Sequence, residues 1–333
     1  MLLATWSWVR NRIDDRIHKD KYVGMPPHFN FGQGCREFPV SLALTLLFEA
    51  YRYLLVWVPL RLISRTAIPA WRAVSYFLGL FLVWSACGSS LAAYDHSLLT
   101  VHMIKHILLM TVAPALLLLG EPVRVFWIGM PLFAQHVFRR VLRRSPLHRF
   151  ARMVTRPALC WTLSAMTLLA WHLPALFTLG MRSESWHVVE QITFFAAGLL
   201  FWWPVIQPWP SASTGPRWSM LLYLFLATLP CDILSGFLVF SDRVAYPVYF
   251  STPRLFGFSV LQDQQCAAAL MWTCVTLVYL VPAAIIALRL LAPGLCMNTI
   301  CNSRNFPTDG FRKVLHEAWR LARDGNGANS GDA

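Results

Sequence analysis

The sequence predicts an all-α polytopic membrane protein, a bundle of seven transmembrane helices, and three observations predict it. Hydrophobic residues fill 56% of the 333 positions. Charged residues fill only 14%, well short of the roughly 25% that a soluble domain uses to cover itself. Apolar runs of about 20 residues, the length needed to cross a ~30 Å hydrocarbon core, recur along the chain.

The spans are expected over residues 40–63, 70–93, 98–120, 157–180, 187–206, 217–240 and 265–291. The first is interrupted by Glu49 and Arg52, whose spacing of three lets them pair on one helix face. The third opens with "VHMIKHILLM", which places His102, Lys105 and His106 in an otherwise oily segment. The fourth carries His172 in "AWHLPALF", and the fifth opens on His187 and Glu190 in "SWHVVEQITFF". Asp232 lies in the outer half of the sixth, and Asp263 immediately precedes the seventh in "LQDQQCAAALMW". On either side of this bundle (40–291), a tail over 1–39 and another over 292–333, partly disordered at "DGNGANSGDA", complete the expected organisation.

Lys and Arg set the orientation. The first, third and fifth connections with the C-terminal tail hold 18 of them, against 9 on the opposite side, six of those in the N-terminal tail. The C-terminus is therefore expected in the cytoplasm and the N-terminus on the outer face. The opening "MLLATWSWVRNRIDDRIHKDK" has no uninterrupted apolar core and no small-residue cleavage site, so no removable signal peptide is expected. The net charge of +13 concentrates in part in "QHVFRRVLRRSPLHRF", a basic, partly amphipathic segment suited to anionic lipid rather than nucleic acid.

Other chemistries find no footing. The eight cysteines show no zinc-type spacing, and those at 87, 160, 231, 266 and 274 sit in or beside apolar runs as small hydrophobes. There is no phosphate-cradling glycine loop and no Gly-x-Ser-x-Gly nucleophile, so no catalytic residue is assigned and a non-enzymatic role is expected.

With this orientation the titratable residues gather in the outer leaflet. Asp95 and His96 lie in the turn before the third span, His102 and His106 in its first two turns, and His172, His187, Glu190 and Asp263 at the same end of their spans. Ionisable groups in a membrane are costly and usually mark function. His102 and His106, four residues apart, project from one helix face about 6 Å apart, which lets two imidazoles bind one metal ion and leaves positions for His172 or His187. Met110 continues that face and Met271 lies one turn into the seventh span, so imidazole and thioether together suit copper, as Cu(I). Heme is the rival cofactor, but two histidines on one face cannot supply both its axial ligands. Lys105 is ~100° round the helix from His106 and is placed to snorkel outward to the headgroups.

The chain resembles the CtaG family of bacterial cytochrome c oxidase assembly factors, seven-helix proteins linked to copper delivery. The resemblance spans about 77–281 and rests on "SSLAAYDHSLLTVHMIKHILLMTVAPALLLLGEPV", "AWHLPALF", "SWHVVEQITFFAAGLLFWWPVIQPWP", "FSDRVAYPVYF" and "LQDQQCAAALMW" in that order. It points to His102, His106, His172 and His187 as metal ligands with Asp263 close by; Asp95, His96, Glu190 and Met271 join them as supporting groups. It implies a copper-handling protein of the bacterial plasma membrane, partnered by heme–copper oxidase subunits and a periplasmic copper donor. Relatives commonly carry Gln where this chain has Lys105, and often a histidine where it has Gln191. The competing expectations are a copper or proton transporter, which needs a polar path continuing below His106, and a heme-binding membrane redox protein.

Overall fold

A computed structural model of the protein describes residues 34–63, 68–89, 94–144, 153, 155–207, 218–252 and 257–291. The expected tails at 1–33 and 292–333 lie outside them, as does the basic stretch at 145–152. In chain order the helices are α1 (Gly34–Ile63), α2 (Ala70–Cys87), α3 (Leu99–Ile107), a π-helical turn (Leu108–Val112), α4 (Ala113–Leu119), α5 (Pro122–Gly129), α6 (Leu132–Arg144), α7 (Pro157–Trp171), α8 (Pro174–Arg182), α9 (Glu184–Ile206), α10 (Trp218–Val239), a short 3₁₀ turn (Pro247–Ser251) and α11 (Val260–Leu291). Among the described residues six helices are long and apolar enough to cross a membrane, and a seventh crossing follows if α7 and α8 are one span. The all-α, polytopic expectation holds.

Several boundaries differ from the sequence-based spans. The last helix starts at Val260 rather than 265, which puts Asp263 in its first turn instead of before it, and α9 starts at Glu184 rather than 187. The first helix starts at Gly34, inside the stretch expected to be tail. The second ends at Cys87 rather than 93. The fourth span is not one helix but two, bent by 73° at His172 and Leu173. Pro174 explains the break: it has no N–H to continue the ladder and excludes helical geometry from the residue before it. It instead occupies the first turn of α8, where a missing N–H costs nothing.

The α3–π–α4 segment is the centre of the bundle. In its most apolar stretch 61% of residues are buried, against 6% for the first span, which therefore faces lipid almost all round. The central segment packs on α2, α9 and α11, while α1 packs on α2 and α5. Glu49 and Arg52 of α1 do pair, at 2.9 Å. Tyr53 is the anchor of that helix: its ring stacks on Tyr76 at 4.3 Å and its hydroxyl donates to the Gly120 carbonyl at 3.0 Å.

The π turn has a cause in the sequence. Pro114 cannot donate to the carbonyl of Met110 four residues earlier, and its ring crowds that oxygen. The helix widens ahead of it, so that Ala113 donates back to Leu108. Gly198 of α9 then closes on the site: a side-chain carbon there would lie 2.3 Å from the Met110 oxygen. The two central helices can approach this closely because position 198 has no side chain.

The third connection is more ordered than a surface strip. It forms α5 and α6, and Gln135 secures the corner between them by donating to the carbonyls of Trp127 and Met130 at 3.0 and 2.8 Å. At the end of the bundle where α3, α9 and α11 begin, the 3₁₀ segment covers the helices. Tyr246 donates to the His172 carbonyl at 3.1 Å and Tyr249 to the Asp95 carbonyl at 3.0 Å.

Candidate metal centre

α3 enters the bundle at its polar end because Asp263 holds its first turn. One carboxylate oxygen accepts from the backbone N–H of Leu99 at 2.7 Å, and the other from the N–H and hydroxyl of Thr100 at 3.1 and 2.6 Å. A carboxylate at a helix N-terminus satisfies orphan donors and meets the positive end of the helix dipole. Asp263 is thus occupied by the backbone that carries the histidines, and it positions them instead of joining them.

One turn further on, His102 and His106 share a face as their spacing predicts, with ring centroids 4.3 Å apart. Glu190 of α9 faces both. Its Oε1 lies 3.6 Å from Nε2 of His102 and 3.4 Å from Nε2 of His106. A ligand atom from each of the three residues falls within 4.8 Å of the other two. All three are buried, at 1%, 5% and 1% exposure. Both ring nitrogens of each histidine and both oxygens of Glu190 lack a hydrogen-bond partner. A buried polar group left unmatched costs about 1–3 kcal/mol, so the three of these atoms that face one another, one from each residue, call for a common partner. Two imidazoles and a carboxylate are a metal-ion donor set.

Neighbouring helices shape the space. Phe194 stacks on His106 at 4.1 Å and Phe177 meets His102 edge-on at 5.1 Å. A side-chain carbon at Gly180 of α8 would sit 3.0 Å from Glu190 Oε2. His172, at the break between α7 and α8, lies 5.9 Å from His106 between ring centroids. Its Nδ1 donates to the Leu168 carbonyl at 2.7 Å, which leaves Nε2 as its one unpartnered nitrogen.

His187 falls in a second group, nearer the surface. With Asp95 and His96 it forms another triad of ligand atoms mutually within 4.8 Å. His187 Nε2 is 3.2 Å from Asp95 Oδ2, and Gln191 reaches the same nitrogen at 3.3 Å. Its ring stacks on that of His102 at 5.9 Å, which joins the two groups. The four histidines singled out in the sequence therefore do not converge on one point.

Lys105 corrects the sequence reading most sharply. It does not snorkel to the headgroups; its ammonium is buried and paired with Asp95 Oδ2. Burial alone would push the Asp95 carboxyl up, but the His187 hydrogen bond and the Lys105 charge outweigh it and hold the group below the usual carboxylate range. Burial lowers His96, partly offset by the same carboxylate.

On the other side of His106 lies a cavity of about 40 Å³. Met110 and Met271 line it with His106, and so do Trp161, Leu168, Phe201 and Tyr279. Both methionines are thus close to the imidazoles on one side only. Glu190, a supporting group in the sequence, is central here. The available signal was its spacing of three from His187 in an otherwise apolar helix, and that signal did not reveal that it faces α3.

The sequence model of the cytochrome c oxidase caa3 assembly factor family matches residues 51–292. Two curated relatives, uncharacterized proteins of Mycobacterium bovis and Mycobacterium tuberculosis, are each 25% identical over 214 residues, covering 62% of this chain and 32% of their own length. The chain thus spans about a third of the length of the curated relatives it matches. No solved structure matches. With most of the membrane bundle inside the matched region, the chain belongs to the caa3 cytochrome c oxidase assembly factor family.

Proposed function

We propose that this family member is a non-enzymatic assembly factor that holds copper as cargo and passes it to a heme–copper oxidase. The ion sits between His102, His106 and Glu190, with His172 and His187 as further imidazoles beside it. The observation that carries this reading is the convergence of one buried donor atom from each of those three residues, none with a hydrogen-bond partner. Met110 and Met271, on the inner side of His106, supply the soft sulfur that favours Cu(I).

The proposed setting is the bacterial plasma membrane with the polar end of the bundle outward. There a periplasmic donor and the oxidase subunits can reach it. α6 lies on anionic lipid in this arrangement: Phe133 and Val137 are exposed on one side, and His136 and Arg140 are exposed beside them.

The alternatives have less support. A transporter needs a polar path through the membrane, whereas the cavity inward of His106 is lined mainly by apolar side chains. A heme needs axial ligands from opposite faces, whereas His102 and His106 share one helix face with ring centroids 4.3 Å apart.

The test is elemental analysis of purified protein after anaerobic Cu(I) loading, beside His102→Ala/His106→Ala. The parent is expected to retain a single copper ion and the variant none, with oxidase activity falling in cells at unchanged protein level. Copper-free parent protein, or full oxidase activity in the double variant, would sink the proposal.

A further inference from the structure

The five histidines at the polar end form a line. Centroid to centroid, His96 is 5.2 Å from His187, His187 is 5.9 Å from His102, and His102 is 4.3 Å from His106; His172 follows at 5.9 Å. Exposure falls sharply along it. The His96 side chain is 43% exposed, that of His187 is 11% and that of His102 is 1%. Beyond His106 the lining turns mainly apolar, so among the described residues the histidine ligands lead a cation outward past His96.

We propose that Asp95, His96 and His187 are a second metal position, a transit station through which the ion reaches and leaves His102, His106 and Glu190. This rests on the copper reading above. The station has an open ligand of its own: Asp95 Oδ1 is buried, unpartnered and 3.6 Å from His96 Nε2. It is also built to be weak. Lys105 occupies the other Asp95 oxygen and neutralises the carboxylate, so an arriving cation meets two imidazoles and a charge already balanced. At the inner position Glu190 has no such counter-cation among the described residues. A metal passed between such positions exchanges one imidazole at a time and is never stripped of ligands in a low-dielectric interior, where a bare ion is prohibitively costly.

A group on the path but outside the resting site changes rates and leaves the equilibrium alone. The experiment follows Cu(I) moving from a coloured chelator to the full chain in lipid nanodiscs, and then back to excess chelator, without oxygen. In His96→Ala, capture and return are expected to slow by the same factor, about tenfold, with final copper content and affinity as in the parent. His96→Cys, which puts a thiolate in place of the imidazole, is expected to regain most of the rate, a rescue that a purely structural role would not give. Parent-like rates in His96→Ala overturn the station while leaving the copper site intact. Loss of affinity with an unchanged capture rate also overturns it, by making His96 a ligand of the resting ion. A parent that captures no copper overturns this inference and the copper reading together.

Discussion

Lys105 and Asp95 meet inside the protein, an ammonium on the first turns of α3 folded back onto a carboxylate in the turn that precedes it. Their side chains are 2% and 0% exposed. Such a pair is weak evidence for stability as a whole, but breaking it by removing one partner strands a buried charge. It also holds the 94–98 turn against α3, and with it the backbone that carries His96.

Lys105→Met is therefore expected to destabilise the protein by about 3–5 kcal/mol, whereas the double variant Asp95→Asn/Lys105→Met recovers most of that loss. Denaturant unfolding of the four members of this cycle in one detergent measures it. Additive losses would show that the two residues are not coupled.

Glu190→Gln keeps the shape of the side chain and removes its charge. Copper affinity is expected to fall by more than about tenfold, which is at least 1.4 kcal/mol. Competition against a chromophoric Cu(I) chelator reads this directly, and an unchanged affinity would remove Glu190 from the donor set.

Asp263→Ala separates positioning from ligation. Loss of the N-terminal cap costs about 0.5–2 kcal/mol, visible as a lower unfolding midpoint, while the copper stoichiometry is expected to remain that of the parent. Loss of copper at unchanged stability would place Asp263 among the ligands.

Three glycines make a steric series. Gly198→Ala drives a carbon into the Met110 carbonyl and is expected to cost about 1–3 kcal/mol by overpacking. Gly180→Ala presses on Glu190 Oε2 at 3.0 Å, so copper affinity is expected to shift more than stability. Gly236→Ala meets nothing within 4 Å and is expected to stabilise α10 by about 0.5–1 kcal/mol. Thermal unfolding and copper competition on the three variants check all of this, and equal effects at 198 and 236 would contradict the close packing at the π turn.

The bundle was legible in the sequence because the membrane imposes a length and a polarity on each crossing, and those survive any detail of packing. The shared face of His102 and His106 was legible for the same reason, since it follows from helical periodicity alone. The bend at His172 was written in Leu173–Pro174, yet the continuous apolar run on both sides hid it. Lys105 could not be read correctly, because its partner is supplied by a turn whose path no periodicity encodes. Glu190 and Asp263 looked alike as acids at helix starts. What separates them is which neighbouring helix each one faces, and only tertiary packing decides that.

The π turn at Leu108–Val112 sets an angular phase. It inserts an additional residue between the histidine-bearing α3 and the apolar α4, and each residue of an α-helix turns the side chains by about 100°. α4 can therefore keep its seat against α2 while His102 and His106 point at α9, although the two halves are one crossing. Were the same residues to run on as regular α-helix, without the wide turn in which Ala113 donates to Leu108, the imidazoles would be rotated by about that angle relative to everything below them. The aim of the two imidazoles is in this sense set by one wide turn that absorbs one residue, and a substitution that let the turn close into regular α-helix would swing them away from Glu190.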